Sequence, residues 1–223
     1  MASATGRTNW FAIGISAAVV VVLVALGGFV VFLNNQATAP GAAPQASGIN
    51  AETGAITFGE GETDVATYID FMCPVCGDFE AAYGEDLRAA AEGGDITLSV
   101  HPVSILDARS STEYSSRAAS ALYCVAEEAP DSALDFMKAL FDNQPTEGSA
   151  GLTDEQMIAF ADETGASAAA DCISDGSYKK FVKDRTPETP ANANGQIGTP
   201  TVTIDGERIE NSDIGTQFAT ILG

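Results

Sequence analysis

The order of apolar and polar positions separates an N-terminal apolar run from the rest of the chain. Residues 10–33 form an unbroken run of 24 residues without a charge. At 1.5 Å per residue, a helix of that length is about 36 Å long, enough to cross a bilayer core of about 30 Å with some tilt. The pattern predicts a transmembrane anchor at residues 10–33, preceded by a short cytoplasmic tail at residues 1–9.

A cleaved secretory signal is the alternative for this run. Signal peptides have an apolar core of about 7 to 15 residues, which is shorter than the run here. The best small-residue cleavage site, Ala37-Thr38-Ala39, is followed by Pro40, an unfavourable neighbour for cleavage. Arg7 is the one basic residue before the run, and it indicates a cytoplasmic N-terminus. We therefore expect a retained anchor, with the remaining chain outside the cytoplasm.

After this run, the spacing of apolar residues is that of an α/β domain, with strand-like and helix-like segments. Residues 34–51 are rich in Ala, Pro and Gly, which predicts a flexible linker. Residues 52–223 then read as two strands, a helix and a strand, and they end in a hairpin at Asp205-Gly206 and a final helix. Between these parts, residues 106–186 are Ala-rich with helical periodicity. The pattern predicts a βαβ…ββα fold with an inserted all-helical subdomain.

Cys73 and Cys76 lie where the second strand, predicted at residues 65–71, meets the first helix of this domain. Pro74 occupies the first helical position, where its missing N–H has no cost. The unpaired N–H groups and the positive end of the helix dipole favour a thiolate over a thiol at this place. Cys76, one turn later, can reach Cys73 and close a small disulfide. This arrangement predicts disulfide exchange.

A structural zinc half-site and an inert disulfide are the alternatives for this pair. Zinc requires four ligands, typically with a second Cys-x-x-Cys or a His pair. The chain has four cysteines and one His, and the other two cysteines lie far apart, so we expect no metal. An inert bridge rarely joins a strand to a helix with Pro in the loop, which favours redox chemistry.

The other two cysteines, Cys124 and Cys172, fall in the helical block. Four cysteines permit three pairings, and the proximity of Cys73 to Cys76 leaves Cys124 with Cys172. Two disulfides are typical of an exported domain, since the cytosol keeps thiols reduced. We predict a structural disulfide here, with a second redox shuttle as the alternative.

The net charge excludes two classes of partner. All 31 acidic residues and nine of the ten basic residues follow residue 33, which gives this part a net charge of −22. Such a charge argues against nucleic acid and against anionic lipid headgroups. It is typical of a solvated surface and indicates no substrate preference.

Three features together resemble one known family. They are the Asp-Phe-x-Cys-Pro-x-Cys-x-x-Phe pattern at Asp70 to Phe79, the helical insertion, and the Gly-Thr-Pro-Thr sequence at Gly198 to Thr201. They resemble DsbA-like thiol:disulfide oxidoreductases of the thioredoxin fold, and most of all the membrane-anchored actinobacterial forms. The resemblance covers residues 52–223 and implies a protein thiol:disulfide oxidoreductase.

The resemblance also implies roles for single residues. Cys73 would be the exposed nucleophile and Cys76 the buried resolving thiol, and their redox-active disulfide would serve in place of a cofactor. Pro200 would be a cis-proline that faces the pair. A cis bond leaves the backbone of Thr199 free to bond an extended client peptide beside Cys73, whereas an ordinary trans turn is the alternative.

Four further residues could influence the acidity or the proton transfers of the cysteine pair. Pro74 and Val75 separate the two cysteines, and strongly oxidising family members often have His at the second of these positions. With Val75 we expect a higher pKa of Cys73 and a less oxidising disulfide. Asp70 is expected to be a strand-end residue near the site, with proton relay as the alternative. His101, before a Pro at a strand end, is expected to be packed and at most a modulator.

The function that the resemblance implies is a membrane-tethered oxidase that introduces disulfides into reduced secreted polypeptides. Its reoxidant would be a quinone-linked membrane partner of the DsbB or the vitamin K epoxide reductase-like type. A reductase or isomerase of the same fold is one alternative. Isomerases usually dimerise through a domain before the site, and none is seen here, so we expect a monomer. A peptide-binding surface module without turnover is the other alternative, and the intact cysteine pair argues against it.

Overall fold

The first helix, α1, spans Trp10–Thr38. The structure, a computed structural model, describes residues 10–222, and within α1 it describes the side chains of residue 15 and residues 20–34. Among these described residues, no helix is long and apolar enough to cross a membrane. The predicted anchor therefore falls partly on side chains outside the described set, and the predicted cytoplasmic tail at residues 1–9 falls wholly outside it.

A second compact unit begins at Gly41 and contains the domain. Its strands and helices follow the predicted order, with the helical block placed between the third and fourth strands. In chain order they are β1 (Ile56–Phe58), β2 (Thr63–Ile69), α2 (Pro74–Gly93), β3 (Ile96–Pro102), α3 (Tyr114–Glu128), α4 (Ala133–Asp142), α5 (Asp154–Glu163), α6 (Ala170–Asp175), α7 (Lys179–Arg185), β4 (Thr201–Ile204), β5 (Glu207–Ile209) and α8 (Ile214–Ile221).

The strands form one mixed sheet in the order β1-β3-β2-β4-β5. β2 and β3 pair in parallel, with Val65 opposite Leu98, as expected for two strands joined by a crossover helix. The other neighbours pair antiparallel. The predicted turn at Asp205-Gly206 joins β4 to β5, and both residues have a positive φ, as a two-residue hairpin requires. The thioredoxin-like α/β fold and its helical insertion are therefore confirmed.

β2 ends two residues before the end of the predicted strand, and Asp70 is the reason. Its carboxylate accepts a hydrogen bond from the Met72 N–H at 2.8 Å. Its carbonyl accepts another from the Cys73 N–H at 3.0 Å. These two bonds turn the chain out of the sheet after Ile69, so the cysteines stand at the carboxyl end of a central strand.

Apolar faces of the helices close the core, as their spacing predicts. In α2, Phe79 and Leu87 are buried, and Phe79 meets the ring of Phe218 in α8 with 6.1 Å between ring centroids. In the insertion, α3 is buried along most of its length. Cys124 in α3 and Cys172 in α6 form the predicted disulfide, with their Cα atoms 5.7 Å apart.

Residues 41–51, whose composition suggests a linker, lie in the same compact unit as the domain. The Gly41 N–H donates to the Asp184 carboxylate at 2.7 Å. Ile49 is buried and forms an isolated antiparallel bridge with Ile56. The composition did not reveal this packing because a single buried isoleucine among small residues has no periodicity to detect.

Candidate active site

The cysteine motif opens helix α2. Cys73 is the N-cap with an extended backbone, and Pro74 is the first helical residue, as predicted. The Cys73 carbonyl accepts hydrogen bonds from the N–H groups of Cys76 at 3.0 Å and Gly77 at 3.2 Å, which close the first turn. Cys73 and Cys76 are free thiols, so the structure shows the dithiol form of the pair.

The thiol of Cys73 is acidic in this environment, with its pKa lowered to about 6. The largest cause is a hydrogen bond from the Cys76 thiol. The Thr199 side chain and the backbone N–H groups of Cys76 and Val75 lower the pKa further, whereas burial opposes them. The start of the helix therefore stabilises a thiolate, as the position of Pro74 suggests.

Cys76 has the opposite character. Burial raises the pKa of its thiol well above the usual value, and the hydrogen bond and charge of Cys73 raise it further. Cys76 is 0% exposed, and Cys73 is only 7% exposed. Cys73 is thus less exposed than the resemblance implies, because the carbonyl oxygen of Thr199 lies 3.5 Å from its sulfur. At neutral pH this dithiol form has a thiolate on Cys73 and a thiol on Cys76.

The loop of Thr199 and Pro200 reaches the cysteines through the sheet. β4 pairs antiparallel with β2, with Thr201 opposite Tyr68, so its first residue stands beside the strand end that leads to Cys73. The Thr199–Pro200 peptide bond is cis, as the resemblance implies. The register therefore brings together residues that are 126 positions apart in sequence.

Asp70 lies fully buried beneath the motif. Its carboxylate accepts hydrogen bonds from the N–H groups of Met72 and Leu106, both at 2.8 Å, and from the Ser115 hydroxyl at 2.7 Å. Burial nevertheless raises the pKa of Asp70 to about 6, although these bonds lower it. The carboxyl thus joins the cysteine loop to the helical insertion. Leu106 and Ser115 were not found from the sequence, because nothing in it places them near Asp70.

Gln144 is a second residue that the sequence analysis missed. It follows α4, and its side-chain nitrogen donates to the carbonyl of Cys73 at 2.9 Å and to that of Phe71 at 3.1 Å. A single Gln after a helix, more than 70 positions from the motif, has no spacing that would reveal this contact.

His101 is packed rather than placed as a base. It is 8% exposed, and its ring stacks on Tyr68 with 4.2 Å between ring centroids. Burial lowers the pKa of His101 to about 4, so the ring is neutral at physiological pH. Among residues 10–222, no group of three His, Cys, Asp or Glu side chains is placed to hold a metal ion.

Two exposed apolar side chains belong to the chain segments that form the site. Val75 is 54% exposed and Ile197 is 39% exposed, and outside α1 they are the exposed large apolar side chains of the described residues. Val75 lies between the two cysteines, and Ile197 precedes Thr199 by two positions. Isolated exposed apolar residues are normal, but Val75 lies in the first turn of α2 beside Pro74, and Ile197 lies in the loop that contains Thr199.

The acidity of Cys73 predicts the pH dependence of its alkylation. Because the pKa is about 6, we expect the rate with iodoacetamide to rise through pH 6 and to be nearly constant from pH 7 to 8. Below pH 6 the thiolate is protonated and the rate should fall about tenfold per pH unit. Cys76→Ala removes the largest cause of the shift and should move the midpoint upward. A wild-type midpoint between pH 8 and 9 would contradict this assignment.

The domain matches known proteins over most of its length. The family model described as Thioredoxin matches residues 52–222. The serine/threonine-protein kinase PknE of Mycobacterium tuberculosis is 32% identical over 170 residues, which are 72% of this chain and 30% of that protein. The chain thus spans about 30% of the length of the curated relatives it matches.

Two solved structures from Mycobacterium tuberculosis are similar along nearly their whole length. The reduced disulfide bond oxidoreductase DsbG is 32% identical with a TM-score of 0.64, and the match covers 84% of this chain and 89% of that one. Reduced DsbA is 31% identical with a TM-score of 0.63, and the match covers 80% of this chain and 88% of that one.

Proposed function

Since this chain belongs to the thioredoxin family, as a DsbA-like thiol:disulfide oxidoreductase, we propose that it acts as an oxidase that introduces disulfides into secreted or cell-envelope proteins. The observation that supports this direction is the split between the two sulfurs, with an acidic Cys73 and a weakly acidic Cys76. An acidic nucleophile stabilises the dithiol form, and a stabilised dithiol makes the corresponding disulfide an oxidant.

The exchange begins from the Cys73–Cys76 disulfide. A client thiolate attacks the Cys73 sulfur, an S–S bond forms between client and Cys73, and Cys76 leaves and takes up a proton. A second client thiolate then attacks the client sulfur of this mixed disulfide and expels Cys73 as a thiolate. Two electrons pass from the client dithiol to the enzyme pair. Because Cys73 is acidic, it is a good leaving group in this last step.

The surroundings of Cys73 suit an extended, unfolded client. The Thr199 backbone lies against the sulfur, where it could bond a client strand by β-addition. Val75 follows Cys73 by two positions and Ile197 precedes Thr199 by two, and both are exposed, so they are available to contact the apolar residues that unfolded chains expose. Reduced secreted polypeptides are therefore the clients that we propose.

Two assays separate an oxidase from a reductase. As an oxidase, the disulfide form should restore activity to reduced, unfolded ribonuclease, and the dithiol form should accelerate insulin reduction only weakly. Rapid insulin reduction without ribonuclease refolding would reverse the direction and favour the reductase. Absence of both activities, with peptide binding retained, would indicate a binding module.

Val75 should limit how strongly the disulfide oxidises. Val75→His adds a side chain whose charge and dipole can stabilise the Cys73 thiolate, so we expect a lower pKa of Cys73 and a more oxidising disulfide. Each 1.4 kcal/mol of added stabilisation raises the potential by about 30 mV. Equilibration with glutathione measures the change, and Val75→Leu, without a charge, is the control. Equal potentials for wild type and Val75→His would contradict the expectation.

We also propose that Asp70 relays a proton to or from Cys76. The backbone of Asp70 hydrogen-bonds to the Cys76 sulfur, so the two residues are adjacent. The Asp70 carboxyl interacts with the charge of Cys73, and its pKa of about 6 lies near the pH at which the enzyme would work. Asp70→Asn keeps a hydrogen-bond acceptor and removes the titration. The pH dependence of mixed-disulfide formation, the step in which Cys76 takes up a proton, should therefore flatten between pH 5 and 7. If that profile is the same as in wild type, Asp70 has a structural role only.

The location and the reoxidant belong to the same proposal. The uncharged run at residues 10–33 and the Cys124–Cys172 disulfide support an extracytoplasmic domain tethered to the cell membrane. A membrane-bound quinone-linked partner, DsbB-like or vitamin K epoxide reductase-like, would accept the two electrons from the dithiol. Release of the intact protein from membranes by detergent, but not by salt or carbonate, is the expected result.

A further inference from the structure

Gln144 joins the helical insertion to the loop that bears the nucleophile. The two carbonyls that accept from its side-chain amide belong to Phe71 and Cys73, on either side of Met72, which is fully buried. One amide group therefore holds both ends of the turn before α2. The insertion reaches the site through this side chain as well as through Ser115 and Asp70.

Side chains satisfy two of the backbone polar groups in this turn. The Met72 N–H donates to the Asp70 carboxylate, and the Phe71 carbonyl accepts from Gln144. Buried backbone groups need such partners, since an unsatisfied group is unfavourable. Removing the Gln144 amide would withdraw two donors at once and let the turn before Cys73 change its conformation.

Gly77 lies beside the same amide. A Cβ atom at residue 77 would lie 2.5 Å from Oε1 of Gln144. Cβ atoms in proteins essentially never lie within 3.0 Å of such a non-bonded atom. Gly77 is inside α2, where Ala would favour the helix. The space that Gln144 occupies is a physical reason for Gly at this helical position.

We propose that Gln144 is a positioning residue, whose amide keeps the Phe71–Cys73 turn in the conformation that presents the Cys73 sulfur to the donors at the start of α2. This inference rests on the proposed function, because it concerns the same thiol. The stability of the dithiol form depends on those donors, because this form bears the Cys73 thiolate. Without Gln144, the dithiol form should lose stability relative to the disulfide form. The protein should then oxidise clients less strongly.

Gln144→Met tests the proposal, because Met has a similar length and no donor. We expect a higher midpoint for Cys73 ionisation, followed by thiolate absorbance. We also expect the equilibrium with glutathione to shift about fivefold toward the enzyme disulfide, the size of one lost hydrogen bond. Gln156→Met is the matched control, because it removes the side chain of the capping box of α5. It should lower thermal stability and leave the ionisation of Cys73 unchanged.

Gly77→Ala is an independent variant with an intact Gln144. The added methyl group should displace the amide, and the ionisation and the glutathione equilibrium should shift in the same direction as in Gln144→Met. The double variant should add little beyond either single change, because both break the same contact. Helix propensity alone predicts a more stable α2 and no shift.

The outcomes distinguish this inference from the proposed function. If Cys73 of the wild type ionises near pH 9, the proposed function fails as well. If the wild type ionises near pH 6, and both variants stay within about twofold of its glutathione equilibrium, only the positioning role is overturned. Equal shifts in Gln156→Met and Gln144→Met would also overturn it, because they would report a general loss of stability.

Discussion

Replacing Cys73 with Ser is expected to reduce ribonuclease refolding to the uncatalysed rate. A serine hydroxyl stays protonated near neutral pH and forms no disulfide, so neither the client exchange nor the resting disulfide exists in this variant. Continuous measurement of ribonuclease activity during refolding, with equal amounts of wild type and variant, checks the result. Thermal unfolding of both proteins shows whether the fold is retained.

Cys76→Ala separates the roles of the two sulfurs. Cys73 remains as a thiolate, so it can attack a disulfide of an oxidised client and expel one client sulfur as a thiolate. The mixed disulfide that results cannot be resolved by Cys76. We expect this variant to accumulate covalent complexes on non-reducing gels, whereas Cys73→Ser should give none. Complexes formed through residue 76 in the Cys73→Ser protein would contradict the assignment of Cys73 as the nucleophile. They would show that the buried Cys76 sulfur has that role.

Removing the Cys124–Cys172 disulfide is expected to lower stability and to leave the chemistry intact. The bridge joins residues 48 positions apart, and a loop of about that length is worth about 4 kcal/mol at most in the chain-entropy description. For a domain of this size, each kcal/mol shifts the Tm by about 2–4 °C, so a decrease of about 8–16 °C is the upper expectation. Scanning calorimetry of Cys124→Ala/Cys172→Ala checks it.

The activity of the same variant tests the alternative role of this bridge. Refolding of ribonuclease below the Tm of the variant should proceed at the wild-type rate, because Cys73 and Cys76 are unchanged. A wild-type Tm together with lost turnover would show that Cys124 and Cys172 act as a second redox shuttle.

Local patterns predicted most of the elements that build the site. The position of Pro74 located the first turn of α2, and the buried residues of this helix include Phe79 and Leu87. Asp205-Gly206 identified the hairpin between β4 and β5. These features depend on backbone conformation and on the period of apolar residues within about ten positions, which a single sequence displays directly.

Predictions that depended on contacts between distant segments were less complete. The apolar pattern predicts that β2 continues to residue 71, but the Asp70 carboxylate turns the chain after Ile69. The composition predicts a linker through residue 51, but Ile49 is buried in the core of the domain. In both cases one side chain makes a contact that composition and hydrophobic period do not predict.

Three features could be predicted without any structure: a cysteine pair begins a helix, a Thr-Pro step precedes a hairpin, and a helical block separates them. Those are properties of neighbouring residues and of a motif order. The assembly of the site from distant residues is visible only in the folded domain, where these residues meet: Cys73, Thr199, Asp70, Ser115 and Gln144. The physical reason is that strand register and helix packing bring together residues from distant segments. Their hydrogen bonds, together with burial, then set the acidity of the two sulfurs.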